Sequence, residues 1–132
     1  MTRILVCEDE VSFKIIFEYA SKSLGKIFKI VGSPLMVLEE IKTASYDMVL
    51  LDMQNMYFTG GAYRNDTCDI AQRVRDLQPG VIIIGYSVLP THVYKNNVEP
   101  YFDELIEKER LFKRNRKGEF EFLKNLFERY NI

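Results

Sequence analysis

The sequence is poor in the residues that build covalent frameworks and transition-metal sites. It contains two cysteines and one histidine among its 132 residues. Two cysteines are too few for a disulfide framework or a zinc cluster, and such low usage favours a reducing, cytosolic compartment. The single histidine, His92, cannot by itself form a metal site or a catalytic triad.

The chain also lacks long apolar runs and an excess of charge of one sign. No apolar stretch approaches the roughly 20 residues that a bilayer-spanning helix needs. We expect no signal peptide, because Thr2 and Arg3 lead directly into a short strand-like run. The formal net charge is −1, so no overall field favours nucleic acid or an acidic membrane. The expected location is the cytoplasm, with neither a membrane nor nucleic acid as the partner.

The composition that remains is that of an ordinary globular protein, with 47% hydrophobic and 28% charged residues. The length fits one domain, residues 1–132, around one core. Several short apolar runs have the length of buried strands in a parallel sheet. The predicted strands are Arg3–Cys7, Ile27–Val31, Tyr46–Asp52, Val81–Tyr86 and Glu104–Lys108.

Segments with apolar residues at helical spacing lie between these runs. Helices are predicted at Glu10–Leu24, after Ser33 and Pro34, at Asp69–Leu77, at Glu119–Tyr130 and, as a short weak helix, between Leu89 and Pro100. Gly25 is expected to end the first helix, and Ser33 to cap the second. With right-handed crossovers, this order predicts an α/β fold: a five-stranded doubly wound parallel sheet with helices on both faces.

Some finer expectations concern helix faces and loops. The inner face of the second helix should be formed by Leu35, Leu38 and Ile41, and that of the third by Ile70, Val74 and Leu77. The polar and aromatic segment Gln54–Asp66 is predicted to be a loop. The basic stretch Arg110–Lys117 is predicted to be a solvated loop before the last helix.

Polar side chains stand at the ends of four predicted strands. Glu8 and Asp9 follow the first strand, Asp52 ends the third, Ser87 follows the fourth and Lys108 ends the fifth. Ligands of open α/β sheets gather at the carboxyl ends of the strands. Carboxylates about 4 Å apart repel by about 4 kcal/mol per pair at an effective dielectric constant of about 20, so a cation is expected among them. Oxygen ligands of this kind suit Mg²⁺, which also binds phosphate.

These residue types suit phosphoryl transfer, which depends on positioning and on cations at the phosphoryl oxygens. Asp52 would be the nucleophile and would form an aspartyl phosphate. Asp9 and Glu8 would hold the metal ion, Glu8 directly or through water. Lys108 would pair with one phosphoryl oxygen, and Ser87 would donate a hydrogen bond to another. A simpler alternative, in which the acidic pair only caps the first helix, stays open.

Four segments resemble the receiver domain of two-component response regulators. Residues 4–10 (ILVCEDE) resemble that family's first strand and acidic pair, and residues 46–52 (YDMVLLD) resemble its phospho-acceptor strand. Residues 82–87 (IIIGYS) are similar to the strand that ends in the Ser or Thr switch residue, and residues 102–108 (FDELIEK) to the segment that ends in its lysine. The resemblance covers nearly the whole chain and implies a flavodoxin-like fold of the receiver type.

The resemblance also implies a function. A histidine kinase or a phosphotransfer protein would phosphorylate Asp52 with Mg²⁺, and the backbone carbonyl of Gln54 would complete the metal site. Ser87 would move toward the phosphoryl group and change the surface that a downstream effector protein binds. The chain would catalyse only its own phosphorylation and dephosphorylation, and so would not be an enzyme in the ordinary sense. The aromatic residues of the last helix region give a separate expectation: surface that they leave outside the core would serve a partner or a homodimer.

The sequence departs from the family pattern at two positions that affect how a receiver changes its surface after phosphorylation. Glu109 follows the lysine where receivers usually carry proline, which would alter the placement of Lys108. Leu105 occupies the aromatic switch position and lacks a polar tip. These departures support a second hypothesis, a pseudo-receiver that keeps the fold as an interaction module and is not regulated by phosphate. A phosphohydrolase with an aspartate nucleophile is disfavoured, because Gln54 stands where such phosphatases need a second aspartate.

Overall fold

A central sheet of parallel strands carries the site residues. The computed structural model describes residues 2–53, 57–59, 62–64, 67–93 and 98–132. The central strands are β1 (Arg3–Cys7), β2 (Ile27–Val31), β3 (Met48–Asp52), β6 (Ile82–Ser87) and β7 (Glu104–Glu107). Their order across the sheet is β2–β1–β3–β6–β7, and every neighbouring pair is parallel. Two short strands, β4 (Tyr57–Thr59) and β5 (Ala62–Arg64), form a separate antiparallel pair.

Helices connect the strands, and the end of the first and the start of the second show the expected local chemistry. The described helices are α1 (Val11–Leu24), α2 (Pro34–Thr43), α3 (Thr67–Leu77), α4 (Lys108–Phe112) and α5 (Glu121–Arg129). α1 ends at Gly25, whose φ of +65° is left-handed and favours glycine. The Oγ atom of Ser33 accepts a hydrogen bond from the Met36 amide and caps α2, which starts at Pro34. No helix among the described residues is long and apolar enough to cross a membrane.

The two faces of the sheet are covered by different helices, so the doubly wound α/β architecture is confirmed. Successive strand residues point to opposite faces, and β3 is buried along its whole length. One core cluster joins strand residues to α2 and α3 and includes Leu5, Val49, Ile83, Val37, Ile41, Ile70 and Val74. The second cluster joins them to α1 and α5 and includes Ile4, Val6, Leu50, Ile84, Phe17, Leu123 and Phe127.

The prediction that Leu35 and Leu77 are buried on inner helix faces is wrong. Leu35 is 69% exposed and Leu77 is 49% exposed. The buried residues of α2 are Val37, Leu38 and Ile41. Leu35 precedes Val37 by two positions, about 200° around a helix, and therefore points away from the sheet. Leu77 is the last residue of α3, whose buried apolar side chains lie in its first two turns.

Two predicted segment types also need correction, and a third lies partly outside the described residues. Residues 54–66 were expected to be a loop, but their described part contains β4 and β5. Lys108–Phe112 forms α4 in place of a strand end and a basic loop, because Leu111 packs fully buried in the core. In the segment predicted as a short helix between Leu89 and Pro100, 3₁₀ turns occur at Thr91–Val93 and Glu99–Tyr101. Residues 94–97 of that segment lie outside the described part of the chain.

Candidate functional site

The carboxyl ends of the parallel strands bring five polar residues together, which we call the strand-end site. Glu8 and Asp9 directly follow β1, Asp52 ends β3, Ser87 ends β6 and Lys108 follows β7. All of them are buried except Asp9, which is exposed. Each is a residue selected from the sequence. Gln54, the other proposed metal ligand, lies outside the described residues.

The Lys108 ammonium group joins two of the carboxylates. Its Nζ atom lies 3.1 Å from Asp52 Oδ2 and 3.0 Å from Glu8 Oε1 and donates a hydrogen bond to each. The lysine reaches these oxygens although Glu109 and not proline follows it. A buried lysine at this position must be paired, because an isolated buried charge is strongly disfavoured. The two carboxylates provide that pairing.

Strand alternation explains why these groups meet. Glu8, Asp52 and Lys108 each stand two residues beyond a strand residue of the core cluster under α1 and α5. Those strand residues are Val6, Leu50 and Ile106. Because side chains two positions apart lie on the same face of a strand, the three charged groups converge on one side of the sheet. Ser87 has the opposite parity and belongs to the other side.

A buried tyrosine that sequence reasoning did not select completes this arrangement. The Tyr86 hydroxyl lies 2.7 Å from Glu8 Oε2 and 2.8 Å from the carbonyl oxygen of Cys7. Tyr86 pairs in register with Asp52 and belongs to the same core cluster. Its position directly before Ser87 on a predicted strand was the signal that could have identified it, since alternation places it on the carboxylate side.

Two aromatic rings lie close to the Lys108 ammonium group. Their place beside the lysine was not predicted from the sequence. Lys108 Nζ lies 4.0 Å from the centre of the Phe13 ring and 5.7 Å from that of Tyr86. The Phe13 ring stacks on Phe112, with 4.8 Å between their centroids. Cation–π attraction of this kind partly replaces the hydration that the buried ammonium group has lost.

The electrostatics of the site are governed by burial and by the charges at close range. Burial, followed by the hydrogen bond and the charge of Glu8, raises the pKa of Asp52 to about 7, although Lys108 acts in the opposite direction. Burial alone would lower the pKa of Lys108, but the two carboxylates outweigh it and raise that pKa. The neighbouring Cys7 thiol has its pKa raised to about 12 by burial and by Asp52, so it is not a thiolate nucleophile at neutral pH.

Ser87 and the Asp52 carboxylate line a small cleft. The cleft has a volume of about 130 Å³ and is lined by Glu10, Asp52, Met53, Ser87, Val88, Leu89 and Lys108. The Ser87 Oγ atom accepts a hydrogen bond of 3.2 Å from the Leu89 amide. Its hydroxyl proton can therefore be donated to a group in the cleft. Val88 is 77% exposed at the edge of this cleft.

The donor set fits a hard divalent cation. One carboxylate oxygen from each of Glu8, Asp9 and Asp52 can be chosen so that all three lie within 4.8 Å of one another. Oxygen-only ligands with a preference for carboxylates match Mg²⁺, which retains several waters and binds substrate phosphates. The exposed Asp9 gives such an ion access from solvent.

No family model and no curated protein sequence matches the chain. Solved structures match over nearly its whole length. The response regulator TrrA of Thermotoga maritima, in complex with Mg²⁺ and BeF, is 20% identical with a TM-score of 0.73, covering 98% of this chain and 99% of that one. The same regulator in complex with the histidine kinase ThkA is 21% identical with a TM-score of 0.70, covering 98% of each chain.

A third similar structure comes from Pseudomonas aeruginosa PAO1. It is the receiver domain of the sensor histidine kinase PA1611, with a magnesium ion in its active-site cleft. It is 19% identical to this chain with a TM-score of 0.75, and the match covers 98% of this chain and 96% of that one. With the sheet order and the two covered faces described above, these similarities establish that the chain has the CheY-like fold of response regulator receiver domains.

Proposed function

We propose that the chain is a phosphoacceptor receiver domain, which takes a phosphoryl group from a phosphohistidine onto Asp52. The observation that carries the proposal is the Lys108 ammonium group, 3.1 Å from an oxygen of Asp52 at the strand ends. A fixed cation beside a carboxylate nucleophile can stabilise the oxygens of a phosphoryl group during its transfer.

The proposed reaction forms one bond and breaks another. A carboxylate oxygen of Asp52 attacks phosphorus in line with the leaving nitrogen. The new P–O bond forms, the P–N bond breaks, and the departing imidazole takes a proton from solvent. Lys108 stabilises one phosphoryl oxygen, and Ser87 donates a hydrogen bond to another from the shared cleft. Magnesium held by Asp52, Asp9 and Glu8, with the Gln54 carbonyl as a further ligand, would neutralise charge on the phosphoryl oxygens.

The proposed partners follow from the same chemistry. The donor is a histidine kinase or a phosphotransfer protein, and the structure of TrrA with the kinase ThkA supports a partner of this class. The signal is a change in the protein-binding surface near Ser87, which an effector protein reads. The protein would act in the cytoplasm and would catalyse only its own phosphorylation and dephosphorylation.

One observation favours the pseudo-receiver as the second candidate. Lys108 already pairs with both Glu8 and Asp52, and all three side chains are nearly inaccessible to solvent. Such a closed ion cluster can serve the fold alone, as buried ionic groups do in some proteins. In that case the chain would bind its partners constitutively.

Intact mass distinguishes the two candidates. The protein is incubated with acetyl phosphate and Mg²⁺, and the expected result is the added mass of one phosphoryl group. Asp52→Asn should abolish this gain, and so should the omission of Mg²⁺. Asp47→Asn is the matched control, because Asp47 lies beside the opposite end of β3 and accepts a hydrogen bond from the Arg3 amide. A folded wild-type protein that gains no mass would favour the pseudo-receiver.

A further inference from the structure

Both carboxylate oxygens of Glu8 are engaged by donors that lie at the carboxyl ends of other strands. The residue is 0% exposed. Oε1 accepts a hydrogen bond from Lys108 Nζ at 3.0 Å, and Oε2 lies 2.7 Å from the Tyr86 hydroxyl. A carboxylate held at both oxygens keeps one orientation, as do metal ligands fixed by the hydrogen bonds behind them. Lys108 therefore takes its position from Glu8 as well as from Asp52.

The position and packing of Tyr86 keep its hydroxyl group at the Glu8 carboxylate. β3 lies between β1 and β6 in the sheet, so the phenol side chain reaches across β3 to contact Cys7 and Glu8. The side chain is fully buried, and its ring packs edge-on against Phe17 with 6.0 Å between centroids. Because packing fixes the ring, the hydroxyl group has little freedom to leave Glu8.

We propose that Tyr86 is a positioning residue of the strand-end site: its hydroxyl group fixes the Glu8 carboxylate, and Glu8 thereby holds the Lys108 ammonium group beside Asp52. The consequence for phosphorylation rests on the proposed function. The link from Tyr86 through Glu8 to Lys108 does not rest on it, since each step is a contact between side chains of the protein itself.

Tyr86→Phe tests this link because it removes the hydroxyl group and keeps the ring. The Phe13 ring lies 4.0 Å from Lys108 Nζ, so its ring current makes the NMR signals of the Lys108 Hε protons sensitive to their position. In the metal-free protein we expect Tyr86→Phe to shift these signals. With Mg²⁺ and acetyl phosphate, we expect the rate of phosphorylation to fall about tenfold, the lower end of the losses seen when a hydrogen bond behind a metal ligand is removed.

Tyr46→Phe is the matched control. The Tyr46 hydroxyl donates a hydrogen bond of 2.8 Å to Glu40 Oε2, and this pair lies near the opposite ends of the strands. The control removes an equivalent tyrosine–glutamate hydrogen bond and should reduce stability. It should leave the Lys108 signals and the phosphorylation rate unchanged, so a loss of stability alone cannot imitate the expected result.

The outcomes separate this inference from the proposed function. If the Lys108 signals keep their wild-type positions in folded Tyr86→Phe, the positioning role is wrong whatever the rate. If they shift but the wild-type protein accepts no phosphoryl group, the positioning role stands and the proposed function fails.

A second variant keeps the inference testable if Tyr86→Phe does not fold. Glu8→Gln in the wild-type background should then shift the NMR signal of the buried Tyr86 hydroxyl proton. An unchanged signal would mean that this proton is donated to the Cys7 carbonyl alone, and would overturn the inference.

Discussion

Replacing Asp52 by asparagine should remove a pH-dependent cost from the native state. The Asp52 side chain is 3% exposed and its pKa is raised to about 7, first by burial and then by Glu8. In the unfolded chain a carboxyl group of this type titrates near 3.8. Between these two values the native state keeps a proton that the unfolded chain releases. The free energy of unfolding of the metal-free wild type therefore falls as the pH rises through this window.

The size of this cost follows from the two pKa values. At about 1.4 kcal/mol for each pKa unit, a rise from 3.8 to about 7 corresponds to about 4 kcal/mol. Below the lower value the group is protonated in both states and costs nothing. Above the higher value it is ionised in both states and the full cost is present. Asp52→Asn keeps a neutral side chain at every pH, and its stability relative to the wild type should increase by about this amount from about pH 4 to about pH 8.

Urea denaturation followed by circular dichroism measures this difference. Wild type and Asp52→Asn are unfolded at several pH values between about 4 and 8 in the presence of a chelator, and the free energies of unfolding are compared. Asp47→Asn should retain the pH dependence of the wild type, since it changes a carboxylate beside the opposite end of β3. Parallel stability curves for the wild type and Asp52→Asn over this range would refute the reasoning.

Two further substitutions probe the packing around the same strand ends. Lys108→Met should reduce the free energy of unfolding at about pH 8 by about 3–5 kcal/mol, because it leaves two buried carboxylates without their shared cation. Adding Asp52→Asn should recover part of that loss, and a purely additive double variant in urea denaturation would contradict the pairing. Gly85→Ala should cost about 1–3 kcal/mol by the same measurement, because a Cβ atom there would lie 2.5 Å from Met53 Sδ. Gly80→Ala is its control, since a Cβ atom at that position meets nothing within 4 Å, and equal effects of the two changes would contradict the packing argument.

The strands could be predicted from the sequence because each one is a short apolar run bounded by polar or turn residues. β1, β2 and β3 begin or end at the predicted residues, and Gly25 ends α1 by the left-handed conformation expected of it. The elements that the sequence did not predict depend on contacts between segments that are distant along the chain. α4 exists because Leu111 is buried against the rest of the core, whereas its charged neighbours made the segment look like a loop.

The same distinction applies to the strand-end site. A search for polar residues beyond strand ends finds Glu8, Asp52 and Lys108, since parallel strands bring their carboxyl ends to one edge. It does not find Tyr86, because a tyrosine inside an apolar run counts as a core residue. Only the strand order shows that its hydroxyl group reaches across β3 to the carboxylate of another strand. Alternation along β6 places Tyr86 on the carboxylate side, but the partner of its hydroxyl group depends on the sheet topology.

Tyr86 and Ser87, the last two residues of β6, point to opposite faces of the sheet at its carboxyl edge. Ser87 lines the cleft beside Asp52, while Tyr86 faces the other side and contacts Glu8. The Met53 amide donates a hydrogen bond of 2.8 Å to the Tyr86 carbonyl, which ties this end of β6 to the chain directly after Asp52. Rotation about its Cα–Cβ bond can bring the Ser87 hydroxyl group toward a group in the cleft without moving the backbone that it shares with Tyr86. A turn of Ser87 toward a phosphoryl group would therefore leave the packed Tyr86 hydroxyl group in contact with Glu8, so that one side of the site can change while the other keeps its geometry.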